Sequence, residues 1–173
     1  MAYINAANSA DFVRVLVKLT TAEDVADLST ADFLTSGDPA TGVLEVPALQ
    51  DITITNTPST FRWKQLDTAS EKVVTSVSSN SISGNLVLDP DTFFGTTGST
   101  GTTAPAKGIF NMSNAKDRIA VMIGLSGVDT GDKYIMAIGY FSSVAPAVSA
   151  DSPVWVSPIG VEIDGDYKAG EIA

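Results

Sequence analysis

Two apolar runs in the second half of the chain, RIAVMIGL and KYIMAIGYFS, flank the polar segment SGVDTGD. The spacing predicts a β-hairpin over 118–142, with a loop built on Gly127, Asp129, Gly131 and Asp132. In the first run Ile119, Val121, Ile123 and Leu125 fall on one face, and Ala120, Met122 and Gly124 on the other. In the second, Ile135, Ala137, Gly139 and Phe141 alternate with Tyr134, Met136, Ile138 and Tyr140. Neither run has a polar face, so cover is expected on both sides, from the rest of the chain or from a second copy.

The same alternation runs through the first half. Residues 12–19 read as a strand: Val13, Val15, Val17 and Leu19 make an inward face, opposite Phe12, Arg14, Leu16 and Lys18. Thr20 with Glu23 fits a capping box, and Ser29 with Asp32 a second start, which predicts a short helix or two short turns over 21–33. Residues 36–42 read as a loop and 43–47 as extended. Ile52 and Ile54 alternate with threonines as a strand, 56–59 as a turn, and 61–66 as a half-exposed strand with Phe61, Trp63 and Gln65 on one face. From Glu71 valines and isoleucines interleave with Ser, Thr and Asn, predicting one long strand or two. Ser76, Ser78 and Asn80 form a polar row, opposite Val73 and Val77.

Asp89-Pro90-Asp91 places an N-cap, a proline at the first helical position and a second acid before Phe93 and Phe94; Gly95 ends this turn. The Gly/Thr-rich stretch 95–108 reads as a loop. Residues 145–153 read as a linker, and 154–163 as a closing strand with Pro158 at an edge or bend. An acidic turn and a short tail follow. The expectation is one mainly β domain over 1–173, an antiparallel β-sandwich or small barrel with one short flanking α-helix.

Composition sharpens this picture. The 173 residues include 18 serines and 18 threonines, so much of the polarity is neutral and suits extended structure. Twenty acids against 10 bases give a net charge of −10, and basic residues do not cluster as tight nucleic-acid binding requires. The chain has no Cys and no His, which removes disulfides, thiolate nucleophiles, Cys/His zinc sites and the Ser-His-Asp triad. Asp129 with Asp132, and Asp164 with Asp166, match no complete calcium loop and read as turn acids. No catalytic residue, metal ligand or cofactor is expected. The N-terminal MAYINAANSADF lacks the basic region and apolar core of a signal peptide, and no apolar run is long enough to span a bilayer. Trp63 and Trp155 are expected in or beside the core, with stacking on a sugar or a partner as the alternative. Surfaces made for contact between copies are expected at Tyr134, Met136, Ile138 and Tyr140 of the hairpin, with Phe93, Phe94 and Trp155.

The order of these features resembles that of bacteriophage tail-tube proteins. An early strand and helix precede long polar-faced strands; the segment SISGNLVLDPDTFFG (Ser81–Gly95) leads an extended run into a short Asp-Pro-started helix; apolar strands follow. The resemblance implies a β-sandwich with a flanking helix, related to folds of contractile tails and type VI secretion tubes. It implies hexameric rings stacked into a hollow tube in the virion, made in the host cytoplasm, with no membrane contact. The genome would pass through without tight binding, and terminator, baseplate or tip, and sheath proteins would be partners. On that reading Ser76, Ser78 and Asn80 would face the lumen. A capsid-decoration or fibre-type protein and a carbohydrate-binding β-sandwich are the rival readings.

Circular dichroism is expected to give a β-dominated spectrum; helix above about a third of the residues, the globular average, would contradict this reading.

Overall fold

The computed structural model describes residues 13–64, 71–151 and 154–173, with the backbone alone at Ser76 and Val77. Expectations for Phe12, Gln65, Leu66 and the Ser76 side chain lie outside the described residues.

The strands are β1 (Arg14–Leu19), β2 (Leu34–Thr35), β3 (Asp38–Pro39), β4 (Val43–Glu45), β5 (Leu49–Lys64), β6 (Glu71–Val87), β7 (Ile119–Gly124), β8 (Lys133–Val144), β9 (Val156–Ile163) and β10 (Lys168–Glu171). An 8-stranded sheet has the order β4-β1-β7-β8-β9-β6-β5, with β10 beside β8; β2 and β3 form a separate pair. All the pairings are antiparallel. The two ends of the order, β4 and β5, are consecutive in the chain. The Val46 amide donates to the Val15 carbonyl at 2.9 Å, and the Val87 amide to the Ala48 carbonyl at 3.1 Å, so the crossing itself is pinned to both sides. The sheet therefore curls back on itself. Val15 and Val17 of β1 share one core with Ile82 and Leu86 of β6, although several strands separate them in the sheet.

The predicted hairpin is β7 and β8, with Ile119 opposite Gly139 and Gly124 opposite Tyr134. Every residue of β7 is buried. Ile119, Val121, Ile123, Ala137 and Phe141 face the inside of the curl. On the other face Ala120, Met122, Tyr134, Met136 and Ile138 pack with Leu16, Leu28, Phe33, Leu34, Val43, Val128 and Ile172. The chain itself supplies this second cover. Met136, Ile138 and Phe93 have no exposed surface and Tyr134 has little, so these four expected contact residues are core residues, closed to a second copy.

The second cover is not an α-helix. Two 3₁₀ turns, Val25–Asp27 and Thr30–Asp32, form over 21–33, the second of the two forms expected there, so the one flanking α-helix is not at this place. Each has its own cap: Asp24 accepts from the Ala26 amide at 2.8 Å, and Ser29 with Asp32 form a capping box. Thr20 accepts from the Ala22 amide at 3.0 Å instead of making the box expected with Glu23. A second N-cap so soon after the first interrupts any continuous helix. The Ser29 amide is the main reason that the Asp32 carboxyl titrates below the usual carboxylate range.

The flanking helix lies elsewhere. The short helix α1 (Pro90–Phe94) forms as the sequence indicates, with Asp89 accepting from the Thr92 amide at 3.0 Å and Gly95 at its C-cap. The longer α2 (Ala104–Ala115) begins inside the stretch read as a loop. Its inward residues Ala104, Gly108, Ile109 and Met112 recur at helical spacing. Gly108 breaks the helical dihedrals at φ 76°, ψ 161°. A Cβ there would overlap the Gly95 amide nitrogen and the Phe94 carbonyl carbon, and a Cβ on Gly95 would overlap Lys107. The two backbones touch, and only glycine allows both the positive φ and the approach.

Three further expectations change. The chain does not turn at 56–59: β5 runs unbroken from Leu49 to Lys64. Pro158 is not on an edge strand, because β9 pairs with β6 and β8; it lies just past Ile159, the last β9 residue paired with β8. The C-terminal tail forms β10, with Ala169 opposite Ile135.

Ile138→Ala should lower stability by about 2–5 kcal/mol through an unfilled cavity. Gly108→Ala should also destabilise, through overlap and strain at positive φ. Urea unfolding is the measurement; an unchanged midpoint for either variant would contradict the packing described.

Candidate assembly surface

β5 and β6 are much longer than the strands beside them. β9 pairs with β6 only from Ser81 to Val87. Beyond Ser81, β6 pairs only with β5, from Asn80 opposite Asn56 to Glu71 opposite Lys64. These residues form a two-stranded arm that leaves the body. Local sequence explains its form. Thr53, Thr55, Thr57, Thr60 and Thr75 are β-branched, and Pro58, which has no amide to donate, sits at a break in register between Thr57 and Ser59. The outer edge of β5 pairs with nothing among the described residues, so its backbone groups are open to a partner.

The arm carries large apolar side chains with no cover. Phe61 is 63% exposed, and Val73 and Val74 are also exposed. Phe61 and Trp63 stack at 5.9 Å between ring centroids. Arg62 lies 3.6 Å from Glu71 across the strands, whereas Lys64 and Lys72 have no ion pair among the described residues. A hairpin of two strands is at best marginal in water, and exposed aromatics on it mark a contact surface.

Of the row expected along Ser76, Ser78 and Asn80, the two residues with described side chains, Ser78 and Asn80, do not make an exposed face. Ser59 pairs with Ser76 and Thr57 with Ser79, so two residues of β6 oppose Pro58 and the alternation changes phase there. Asn80 is buried and donates to the Gly165 carbonyl at 2.8 Å, and Ser78 is half-buried. A polar row offset by one is mostly exposed, with Ser81 and Asn85 half-buried in it. Thr53 opposes Ser83, Thr55 opposes Ser81, and Ser81 in turn opposes Glu162. Asp51 and Asn85 extend it, joined through the Asn85 amide at 3.0 Å and its side-chain Nδ2 at 2.8 Å. These eight-strand-sheet positions carry hydroxyls, an amide and carboxylates, and no base. On the inner side, Tyr167 donates to the Ser81 carbonyl at 2.8 Å, with the Thr55 carbonyl at 2.9 Å as a second acceptor. Partial burial, helped by the charge of Glu162, pushes its hydroxyl above the ordinary tyrosine range.

Of the residues expected at contacts between copies, Tyr140, Phe94 and Trp155 are the ones with surface to offer; Trp155 is 52% exposed. Tyr140 lies beside Arg118, which is held by Asp164 at 3.0 Å. A separate cleft of about 700 Å³ is lined by Arg14, Glu45, Pro47, Leu49, Asp51 and Asp129, among others. Its arginine already makes a two-pronged bond to Glu45 at 2.6 and 2.9 Å, and its lining has no Ser, Thr, Cys or Lys. Sequence reading missed the arm because a proline inside a strand resembles a turn, and exposure is invisible to alternation.

No family model matches the chain, and no curated protein matches it. Solved structures do. The SPP1 tail tube, from solid-state NMR and cryo-EM, is 13% identical; the match covers 95% of this chain and 80% of that one, with a TM-score of 0.58. The tail of an empty gene transfer agent particle is 12% identical over 89% of this chain and 93% of its own, at a TM-score of 0.48. A native gene transfer agent virion chain is 14% identical over 94% and 98%, at 0.47. The first likeness shows that this chain has the fold of a tail-tube subunit.

In dilute solution the arm amides, Thr55–Lys64 and Glu71–Ser79, should exchange hydrogen faster than those of β7 and β8, and slow on self-association. Arm protection equal to that of the body in dilute monomer would show that the arm needs no partner.

Proposed function

We propose that this chain is the building block of a phage-type tail tube. Copies join side by side into hexameric rings, the rings stack, and a genome passes through the lumen in the virion. The observation that carries this reading is the two-stranded arm, which exposes Phe61, Val73 and Val74 on a body that has the tail-tube fold. An arm of this kind is poorly stable alone and well suited to burial against another copy. The open edge of β5 offers backbone donors and acceptors for a lateral contact, and Tyr140, Phe94 and Trp155 offer side-chain surface.

The lumen wall in this reading is the polar row of exposed Thr53, Thr55, Ser83 and Glu162 with half-buried Ser81, not the row through Asn80. A DNA duplex carries about one negative charge per 1.7 Å of axis, so a basic channel would hold it at every step. Hydroxyls and carboxylates offer no such wells. Their repulsion is spread around the wall and screened within about 8 Å at physiological salt, which leaves the duplex centred and free to slide.

Electron microscopy of the purified chain tests the assembly: stacked rings support it, and a chain that stays monomeric or forms compact trimers overturns it. Replacing Ser81 and Ser83 by Lys tests the wall. Tubes should still form, but should now retain duplex DNA, with retention falling steeply as salt rises, and genome delivery should slow. Wild-type behaviour in both assays would mean that this face does not line the channel.

A further inference from the structure

The turn between β9 and β10 holds the root of the arm, and it contains the one Asp-Gly pair of the chain. We propose that Asp164 converts spontaneously to isoaspartate in the folded protein, and that this change unfastens the root of the arm.

The chemistry needs two neighbouring residues and water. Asp164 is the single Asp or Asn followed by glycine in the 173 residues. The Gly165 amide nitrogen attacks the carbon of the protonated Asp164 carboxyl. A C–N bond forms, a C–O bond breaks, and the hydroxyl leaves with the amide proton as water. The product is a five-membered succinimide. Water then opens the ring at one of its two carbonyls. Opening at the side-chain carbonyl restores aspartate. Opening at the main-chain carbonyl leaves the chain running through Cβ and Cγ, which is isoaspartate. Nothing is oxidised or reduced, and the final mass is unchanged.

The turn leaves room for this ring. Asp164, Gly165 and Asp166 are exposed, and the Asp164 side chain keeps 54% of its surface. Glycine sets no side chain beside the attacking amide, and the space where a Cβ would stand is open among the described residues. Other exposed acids have a branched side chain in that place: Thr92 follows Asp91, and Thr130 follows Asp129. The turn also calls for glycine, because residue 165 has φ 99°. The fold therefore keeps the reactive pair together.

The product cannot keep the present contacts. Isoaspartate lengthens the main chain by one carbon and draws the carboxylate one carbon closer to it. The Asp164 carboxylate lies 3.0 Å from Arg118, and the Gly165 carbonyl accepts from Asn80 Nδ2 at 2.8 Å. Both bonds depend on the length of this turn. Asn80 has no other side-chain bond among the described residues, since its buried Oδ1 has no partner. A buried amide that loses its acceptor is costly. Asn80 is the first residue of β6 beyond its pairing with β9, where the arm leaves the body. Tyr167, two residues after Gly165, bonds to the Ser81 and Thr55 carbonyls at the same root. One added carbon acts on both anchors.

The test ages the full chain warm, once folded and once in urea, and then digests it. Isoaspartate is read by fragmentation of the peptide holding Asp164, and by methyl transfer from an isoaspartate-specific carboxyl methyltransferase. The folded wild type should give a second form of that peptide with equal mass, preceded by a form lighter by one water, and the methyl label should fall on that peptide alone. Asp164→Glu retains a carboxylate for Arg118 but can close only a less favoured six-membered ring, and should stay unlabelled. Amides at Asn80 and Ser81 should exchange hydrogen faster in aged wild type than in fresh, and equally fast in aged and fresh Asp164→Glu. No isoaspartate in the folded chain, whether or not the urea-aged chain forms it, would overturn the site. Isoaspartate at Asp164 with unchanged exchange at Asn80 would overturn its link to the arm. Both readings are made on the unassembled chain and stand apart from the tube.

Discussion

Burial of β7 and β8 on both faces is the constraint on which the remaining structure depends. A strand without a polar face needs two covers, and each cover takes a different part of the chain. The inner cover comes from curling the sheet, which brings Ile82 and Leu86 of β6 over Val121 and Ile123 and leaves α2 to close the core with Ile109 and Met112. The outer cover comes from the stretch between β1 and β4. Leu28, Phe33 and Leu34 are set on Met136 and Ile138 by two capped 3₁₀ turns. Lys168 ties β10 to that cover by donating to the carbonyls of Ala26 and Leu28.

These covers have a consequence for assembly. Apolar side chains of the central hairpin are used inside the subunit, so association must draw on other surfaces. Besides Tyr140, large exposed apolar side chains lie mainly at two places: the arm, with Phe61, Val73 and Val74, and the end around α1 and Trp155. The polar row through Thr55 and Ser81 lies between them on the outside of the sheet. Apolar ends with a hydroxyl-faced, acid-edged stretch between them are the surfaces on which the proposed tube and its DNA-repelling wall would draw.

Much of the fold was legible in the chain. Period-two alternation located β1, the β7–β8 hairpin and the long strand from Glu71, because strand geometry imposes that period wherever one face is buried. The Asp89-Pro90 start and the Gly95 stop placed α1 to the residue, since capping is local chemistry. The absence of His and Cys narrows the chemistry at the level of sequence alone.

Three features depended on tertiary structure. Helix α2 is interrupted by Gly108, whose role is contact with Gly95 across a gap in sequence; only packing reveals why a glycine-rich stretch is ordered. The face presented by Asn80 was decided by the two-for-one register opposite Pro58, a property of the pair of strands and not of either alone. Whether Met136 and Ile138 met a second copy or their own chain was also undetermined, because alternation reports that a face is buried and carries no record of what buries it. Residues far apart in sequence supply the cover, and their arrangement exists only in the folded chain.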